Sequence, residues 1–348
     1  MVGTTILLYP QPVRQDLLCG SFHGNIIVVY LLSGKFKVLR TDAITLKQLR
    51  ALKAVVAHGT LTAAAVELGL TTPAIHSQIK NLETATDVAL LRRDGEGGRM
   101  EPTAEGEEML RAATRIESIL SQAAAQIRAR STGRLGEVVL SVVSTAQYFA
   151  PRLVRMLIDR CPEIAIQLRV GNRESVVADL DQARCELAIM GRPPRAPEVH
   201  ALPLGPHPHG VILLPDHPLA RDDGYDPSLL VRETFLSREP GSGTRILMQR
   251  FFERLEEPHA VRLIEMESNE SIKQAVLAGL GVAFLSLHTV DDELRSGRLA
   301  VLRGPFLPVM RHWYLVTPQH VPPGPATQRI AAEIAALSGG YLPRPLSA

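Results

Sequence analysis

Between residues 44 and 84 the chain carries three helix-length segments divided by two glycines, and this pattern constrains the fold more than any other stretch. Leu46, Leu49, Leu52 and Val56 recur at helical spacing and predict one apolar stripe. Gly59 is expected to stop that helix. Thr60 can cap a short second helix through Leu68, which Gly69 breaks. A third helix starts at Thr72-Pro73, where proline suits the first helical position, and runs to about Thr84. Its Ile75, Ile79 and Leu82 share one face and are expected to pack inward. The opposite face presents Pro73, His76, Ser77 and Lys80, small or hydrogen-bonding groups of the kind a helix needs to enter a DNA major groove. The start of that helix, Thr72-Pro73-Ala74, is expected to offer N–H groups and a positive dipole end to phosphate. The pattern predicts a helix-turn-helix at residues 60–83.

Charges, glycines and short apolar pieces over residues 86–103 predict a two-stranded wing. Bulk charge does little here: seven Lys/Arg (47, 50, 53, 80, 92, 93, 99) face six Asp/Glu (67, 83, 87, 94, 96, 101) over residues 44–103. Placement matters more, because Arg92, Arg93 and Arg99 fall in the wing, where they can hold phosphate or enter a narrow minor groove. A long helix then opens at Thr103-Ala104-Glu105-Gly106 and runs to about Arg130. Met109, Ala113, Ile116, Leu120, Ala123 and Ile127 alternate at four and three residues along it, the rhythm of a coiled-coil seam that calls for a partner helix. Ser131-Thr132-Gly133 is expected to end it as a hinge.

After residue 135 short strands and helices alternate, which predicts βαβ units and a parallel sheet in two α/β lobes with a cleft between them. The expected organisation is therefore an extension over 1–43, a winged helix-turn-helix over 44–103, a linker helix over 104–133 and an effector domain over 135–345. Within the last, lobe 1 covers about 135–208 and 311–345, and lobe 2 about 209–310. The extension mixes Pro, Gly and β-like runs such as Asn25 to Tyr30, with no helical period, and is a candidate for a mis-chosen start.

Three widely spaced cysteines (Cys19, Cys161, Cys185) with no CxxC suggest neither a disulfide framework nor a zinc site, and fit a reduced, cytoplasmic setting. The longest apolar run, Ile26 to Leu32, is far below the ~20 residues that span a bilayer, so no membrane partner is expected. His200, His207, His209 and His217 cluster in sequence, but Pro206, Pro208 and Pro218 among them read as a loop rather than a fixed ligand face, and no metal is expected.

Residues 60–83 (TLTAAAVELGLTTPAIHSQIKNLE) resemble the N-terminal signature of LysR-type transcriptional regulators. Leu90-Leu91-Arg92-Arg93 and Pro102 to Gly106 are similar to that family's wing and linker-helix start. Glu267 to Val276 with Gly279-Leu280-Gly281 is similar to its effector domain. Two residues depart from the pattern: His76 replaces the usual small hydroxyl residue, and Leu91 the usual Phe. The resemblance implies a winged helix-turn-helix, a linker helix and a two-lobed domain of the periplasmic-binding-protein type. It implies promoter DNA as partner, with RNA polymerase a further candidate, a homodimer that pairs into a tetramer, and a small-molecule effector in place of any cofactor.

Several groups are placed to meet that effector. Gly241, Ser242, Gly243, Thr244 and Arg245 form a glycine-bearing loop opening a helix, a plausible cradle for phosphate or carboxylate. Ser144, Thr145 and Gln147 follow the first strand of the domain, Asn172 the second and Arg192 the third; Asn269 opens a later helix. Residues 144–151, 188–194 and 238–245 resemble the Calvin-cycle (RuBisCO operon) regulators, the CbbR subfamily. That likeness implies activation of a carbon-fixation operon in response to a phosphorylated metabolite or nucleotide cofactor. A regulator of another operon and a two-lobed solute-binding protein are the alternatives. The sequence shows no nucleophile elbow, P-loop or HExxH, so no enzyme is expected.

Overall fold

A computed structural model describes residues 40–94, 98–131, 135–220, 226–255, 261–304 and 306–343. The expected extension, up to residue 39, and Thr132-Gly133 of the expected hinge lie outside them. The chain divides at Glu107 into two units.

The first unit begins with α1 (Leu46–His58), α2 (Leu61–Leu68) and α3 (Thr72–Thr86). Each start is capped by a threonine. Thr45 and Gln48 form a reciprocal capping box on α1, Thr60 accepts from the Ala63 N–H, and Thr71 from the Ala74 N–H. Gly59 and Gly69 end α1 and α2 in the left-handed region at φ 75° and 62°, where a side chain would be strained. The buried face of α1 is rotated from the expected stripe: Leu49 and Leu52 are buried with Ala51, Ala54 and Val55, while Leu46 is exposed. Ile75, Ile79 and Leu82 of α3 are buried as expected. The wing follows as an antiparallel pair, β1 (Leu91–Arg93) and β2 (Met100–Pro102). Glu83 ties the end of α3 to it, since one carboxylate oxygen accepts from the Leu90 N–H at 2.9 Å and the Leu91 N–H at 3.4 Å.

Thr103 caps α4 (Ala104–Ser131) by accepting from the Gly106 N–H, while its own hydroxyl donates to the Ala89 carbonyl at 2.8 Å. From Glu108 onward α4 belongs to the second unit. There Arg115 pairs with Asp181, Gln122 donates to the Ala183 carbonyl and Gln126 to the Glu137 carbonyl.

The second unit continues through β3 (Gly136–Val143), α5 (Ala150–Arg160), β4 (Ile164–Gly171), α6 (Arg173–Asp181), β5 (Leu187–Met190) and β6 (Val199–Leu213). Then come α7 (Pro227–Leu230), β7 (Thr234–Arg238), α8 (Gly243–Arg254), β8 (Arg262–Met266), α9 (Asn269–Leu277) and β9 (Val282–Ser286). It closes with α10 (Asp291–Arg295), β10 (Ala300–Val301), β11 (Val309–Pro318) and α11 (Pro325–Ala336). The strands form one sheet in the order β4-β3-β5-β11-β6-β9-β7-β8, with β10 beside β6.

Two expectations are corrected here. The sheet is mixed rather than parallel: β4-β3-β5 and β9-β7-β8 are parallel sets, joined by β11 and β6, which are antiparallel to their neighbours. The histidine- and proline-rich stretch is not a loop either, since residues 199–213 form one long strand. Pro206 and Pro208 are two apart, so their missing N–H groups fall on one edge. Over residues 199–208 β6 has a strand, β11, on one side only, and an open edge tolerates proline.

Each lobe has its own core. In lobe 1, α5, α6 and α11 pack Leu153, Leu157, Leu180 and Ile330 against Leu140, Val142, Ile189 and the fully buried Trp313. In lobe 2, Met248 and Phe251 of α8 cover Phe235 and Phe284, while Ile272 and Val276 of α9 cover Leu236 and Leu285.

Space is tight where α4 starts. A Cβ added at Gly106 would lie 2.0 Å from the Leu90 carbonyl oxygen. We predict that Gly106→Ala destabilises the first unit by about 1–3 kcal/mol, read by thermal melting; an unchanged melting temperature would refute this packing account.

Candidate functional site

Pro73, His76, Ser77 and Lys80 are all exposed along α3, opposite its buried Ile75, Ile79 and Leu82, while Thr72 and Ala74 are half-buried at its start. The start of the helix offers fewer donors than expected. Pro73 has no N–H, and the Ala74 N–H already donates to Thr71 Oγ1 at 3.4 Å. Of these three positions only the Thr72 N–H has no partner among the described residues. In the wing, Arg92 pairs with Glu101 across the strands at 3.1 Å. Arg93 is exposed on the same strand, and exposed Arg99 lies over Gly59 at the end of α1.

On α4 the expected seam is exposed in part. Ile116, Leu120, Ala123 and Ile127 face solvent, and so does Ile119, which the heptad reading passed over. Ala113 is fully buried within the chain, and Met109 is half-buried. The lobe-packing face (Arg115, Gln122, Gln126) lies about 100° round the helix from the exposed stripe, so one does not compete with the other.

A cavity of about 650 Å³ opens between the two lobes, within the usual range for small-molecule sites. Lobe 1 contributes Ser144 and Thr145 after β3, Arg173 and Glu174 from the start of α6, the turn Gly191 to Ala196 after β5, and His207. Lobe 2 contributes His209, Gly241 to Thr244, and Ile246, Leu247 and Arg250 from α8; Arg311 comes from β11. Five arginines (173, 192, 195, 250, 311) thus face one carboxylate, Glu174, and none of the five forms an ion pair among the described residues. The crowding is visible in their protonation. The Arg250 guanidinium, with burial and then Arg195 and Arg311, lowers Arg192 below the ordinary arginine range. Burial, then Arg192 and Arg250, lowers Arg173. Such a cavity favours a ligand carrying several negative charges.

The floor is built differently. His207 and His209 alternate along β6 with their rings 4.1 Å apart, and His207 stacks on Trp313 at 3.6 Å. The Trp313 indole donates to His288 Nδ1 at 3.1 Å. Burial pushes His209 down to about 3 and His288 to about 4, and lowers His207 as well. The floor is therefore neutral under ordinary conditions.

Of the effector residues expected from the sequence, Ser144, Thr145, Arg192, Gly241, Ser242, Gly243 and Thr244 meet at this cavity. Gln147, Asn172, Arg245 and Asn269 do not line it. Arg245 pairs with Glu265 and donates to the Arg238 carbonyl. Asn172 caps α6 and donates to Glu239 across the lobes at 3.3 Å. Asn269 is buried and accepts from Arg238, which also donates to Ser144 Oγ at 3.1 Å. Arg173, Arg195, Arg250, Arg311, His207 and His209 were not singled out as effector residues, because they reach the cavity from separate elements and no local motif joins them.

Comparison with known proteins supports both halves. Residues 46–107 match the family described as bacterial regulatory helix-turn-helix protein, lysR family, and residues 131–338 match the LysR substrate binding domain. The chain is 58% identical over 306 residues to the HTH-type transcriptional regulator CbbR of Cereibacter sphaeroides, covering 88% of this chain and 99% of that one. It is 39% identical over 274 residues to the RuBisCO operon transcriptional regulator of Allochromatium vinosum, covering 78% and 89%. Among solved structures, the Synechocystis PCC6803 CcmR regulatory domain in complex with 2-PG is 33% identical, with a TM-score of 0.55, covering 58% of this chain and 97% of that one.

The cavity's charge makes a measurable prediction. Arg250→Ala and Arg311→Ala each weaken binding of inorganic pyrophosphate about fivefold or more, whereas Arg245→Ala changes it by less than about twofold, because that side chain is already paired. Isothermal titration of the full chain checks this, and the reverse ranking would move the anion site to Arg245.

Proposed function

The chain belongs to the LysR family of transcriptional regulators, and we propose that it controls a carbon-fixation (RuBisCO) operon in response to a phosphorylated metabolite bound between its two lobes. The observation that carries the effector half is a cavity lined by five arginines and one glutamate, with none of the five in an ion pair among the described residues. The relatives named as CbbR and as RuBisCO operon regulators support the operon, and the CcmR domain solved with 2-PG supports a ligand of this kind.

In this reading α3 enters the major groove, and Pro73, His76, Ser77 and Lys80 meet base edges and phosphates. Thr72 and Ala74 place the helix start near the backbone, and Arg92, Arg93 and Arg99 reach the flanking phosphates or the minor groove. Arg92 has to leave Glu101 to do so, and an exposed pair of this kind costs little to break. The exposed stripe Ile116, Ile119, Leu120, Ala123 and Ile127 pairs with the same stripe of a second copy, so two reading heads meet a roughly palindromic promoter site. A tetramer built from two such dimers, acting in the cytoplasm as an activator that engages RNA polymerase, completes the proposal.

The effector acts by population shift: an anion in the cavity favours one arrangement of the lobes, and the bound DNA responds to that arrangement. Ser144, Thr145 and the Gly241 to Thr244 loop give it hydroxyl and backbone donors, and the arginines give it counter-charge. The cavity is read as a sensor and not as a catalytic centre.

Electrophoretic mobility shift on the DNA upstream of the cell's own RuBisCO operon tests the proposal. Binding falls steeply with salt, and Lys80→Ala or Arg93→Ala lowers the salt slope by about one. Arg250→Ala keeps basal DNA binding but loses the response to 2-PG. Salt-insensitive binding, or equal binding to unrelated DNA, would sink the assignment.

A further inference from the structure

The wall of the cavity contains a buried ring nitrogen that has no hydrogen-bond partner among the described residues. His207 stands on β6 and lines the cavity while only 3% exposed. Its Nε2 lies 2.9 Å from Ser286 Oγ on β9, and its Nδ1 has no hydrogen-bond partner.

The Ser286 contact admits both tautomers of His207. Ser286 is fully buried, and among the described residues its hydroxyl has one side-chain partner, His207 Nε2. If Nε2 carried the proton, Ser286 would accept, leaving both its own hydroxyl hydrogen and the Nδ1 lone pair unused. If Ser286 donates to Nε2, Nδ1–H is left over and the Ser286 oxygen accepts from nothing. The two arrangements orphan equal numbers of groups, and an anionic oxygen arriving at Nδ1 selects the second, because only that one offers it a hydrogen. The ring cannot swing away to find another partner, because it is stacked on Trp313 with 13° between the planes.

Two neighbours say what this N–H faces. Gly191, another wall residue, covers it: a Cβ built there would lie 2.9 Å from Nδ1 and 3.2 Å from Cε1. A ligand reaches Nδ1 only when that turn moves aside, and with no side chain at 191 there is only backbone to move. Arg311 is the register partner of His207 across β11 and β6 and lines the same cavity.

We propose that His207 Nδ1–H is a ligand-reading donor that binds one anionic oxygen of the effector beside Arg311. The inference rests on the reading of the cavity as an anion-effector site and adds a selectivity to it. The arginines attract negative charge from any direction. A neutral N–H held at one angle by Ser286 and Trp313 donates to a carboxylate or phosphate oxygen and turns away ligand groups that can only donate, such as an ammonium.

Isothermal titration of the full chain with inorganic pyrophosphate and with 2-PG tests it, using wild type, His207→Phe, His207→Asn and Gly191→Ala. The expected result is a loss of about tenfold or more in affinity for His207→Phe, which keeps a ring on Trp313 but removes the donor. Gly191→Ala, whose Cβ blocks the approach, shows a similar loss. His207→Asn, with an amide N–H near the Nδ1 position, stays within about threefold of wild type. Emission from Trp313, the single tryptophan of the chain, reports whether each variant keeps the folded floor. If His207→Phe does not fold, Gly191→Ala carries the test, because it leaves the imidazole in place. Wild-type affinity in a folded His207→Phe or in Gly191→Ala overturns this inference alone. Failure of the wild type to bind either anion overturns the effector reading and this inference with it.

Discussion

The antiparallel pairing of β6 with β11 runs from Val199 opposite Pro318 to His209 opposite Val309, and both lobes of the second unit are hung on it. The first half of β6, through β11, continues to β5, β3 and β4; its last residues pair with β9 and so with β7 and β8. A hinge made of paired strands differs from one made of loops. Its hydrogen bonds resist sliding, so any rearrangement of the lobes has to keep their floor in register. The stacked His207, His209 and Trp313 sit where the two halves meet, and the cavity is bounded by that floor and by the loops of both lobes.

Much of the first unit was legible because its signals are local. A threonine cap, a glycine stop and an apolar spacing all act within one or two turns, and Thr60, Gly69 and Ile75-Ile79-Leu82 do what those rules say. The departures have equally local causes. The α1 stripe turned because alanines 51 and 54 pack as well as larger residues do. The Ala74 N–H is taken by Thr71, the residue just before the helix.

The second unit was harder to read, because its decisive partners are distant in sequence. Arg245 looked like a ligand group next to two glycines, yet Glu265, on the neighbouring strand, holds it. Arg173, Arg250 and Arg311 gave no motif, since α6, α8 and β11 bring them together only after folding. The alternation of proline with histidine over residues 206–209 hid a strand, because proline's usual message is a loop. An open strand edge removes the reason for that message.

The same cavity is also a mechanical element. Direct contacts hold its rim closed: the Glu174 N–H donates to the Gly241 carbonyl at 3.2 Å, Asn172 reaches Glu239, and Arg238 reaches Ser144. Against these few hydrogen bonds, like-charged guanidiniums push outward from both sides. If a polyanion binds in this cleft as proposed, neutralising the charge removes the outward push that these hydrogen bonds oppose. On that proposal affinity and switching are one quantity, because the repulsion that draws a ligand in is the same repulsion its binding relieves.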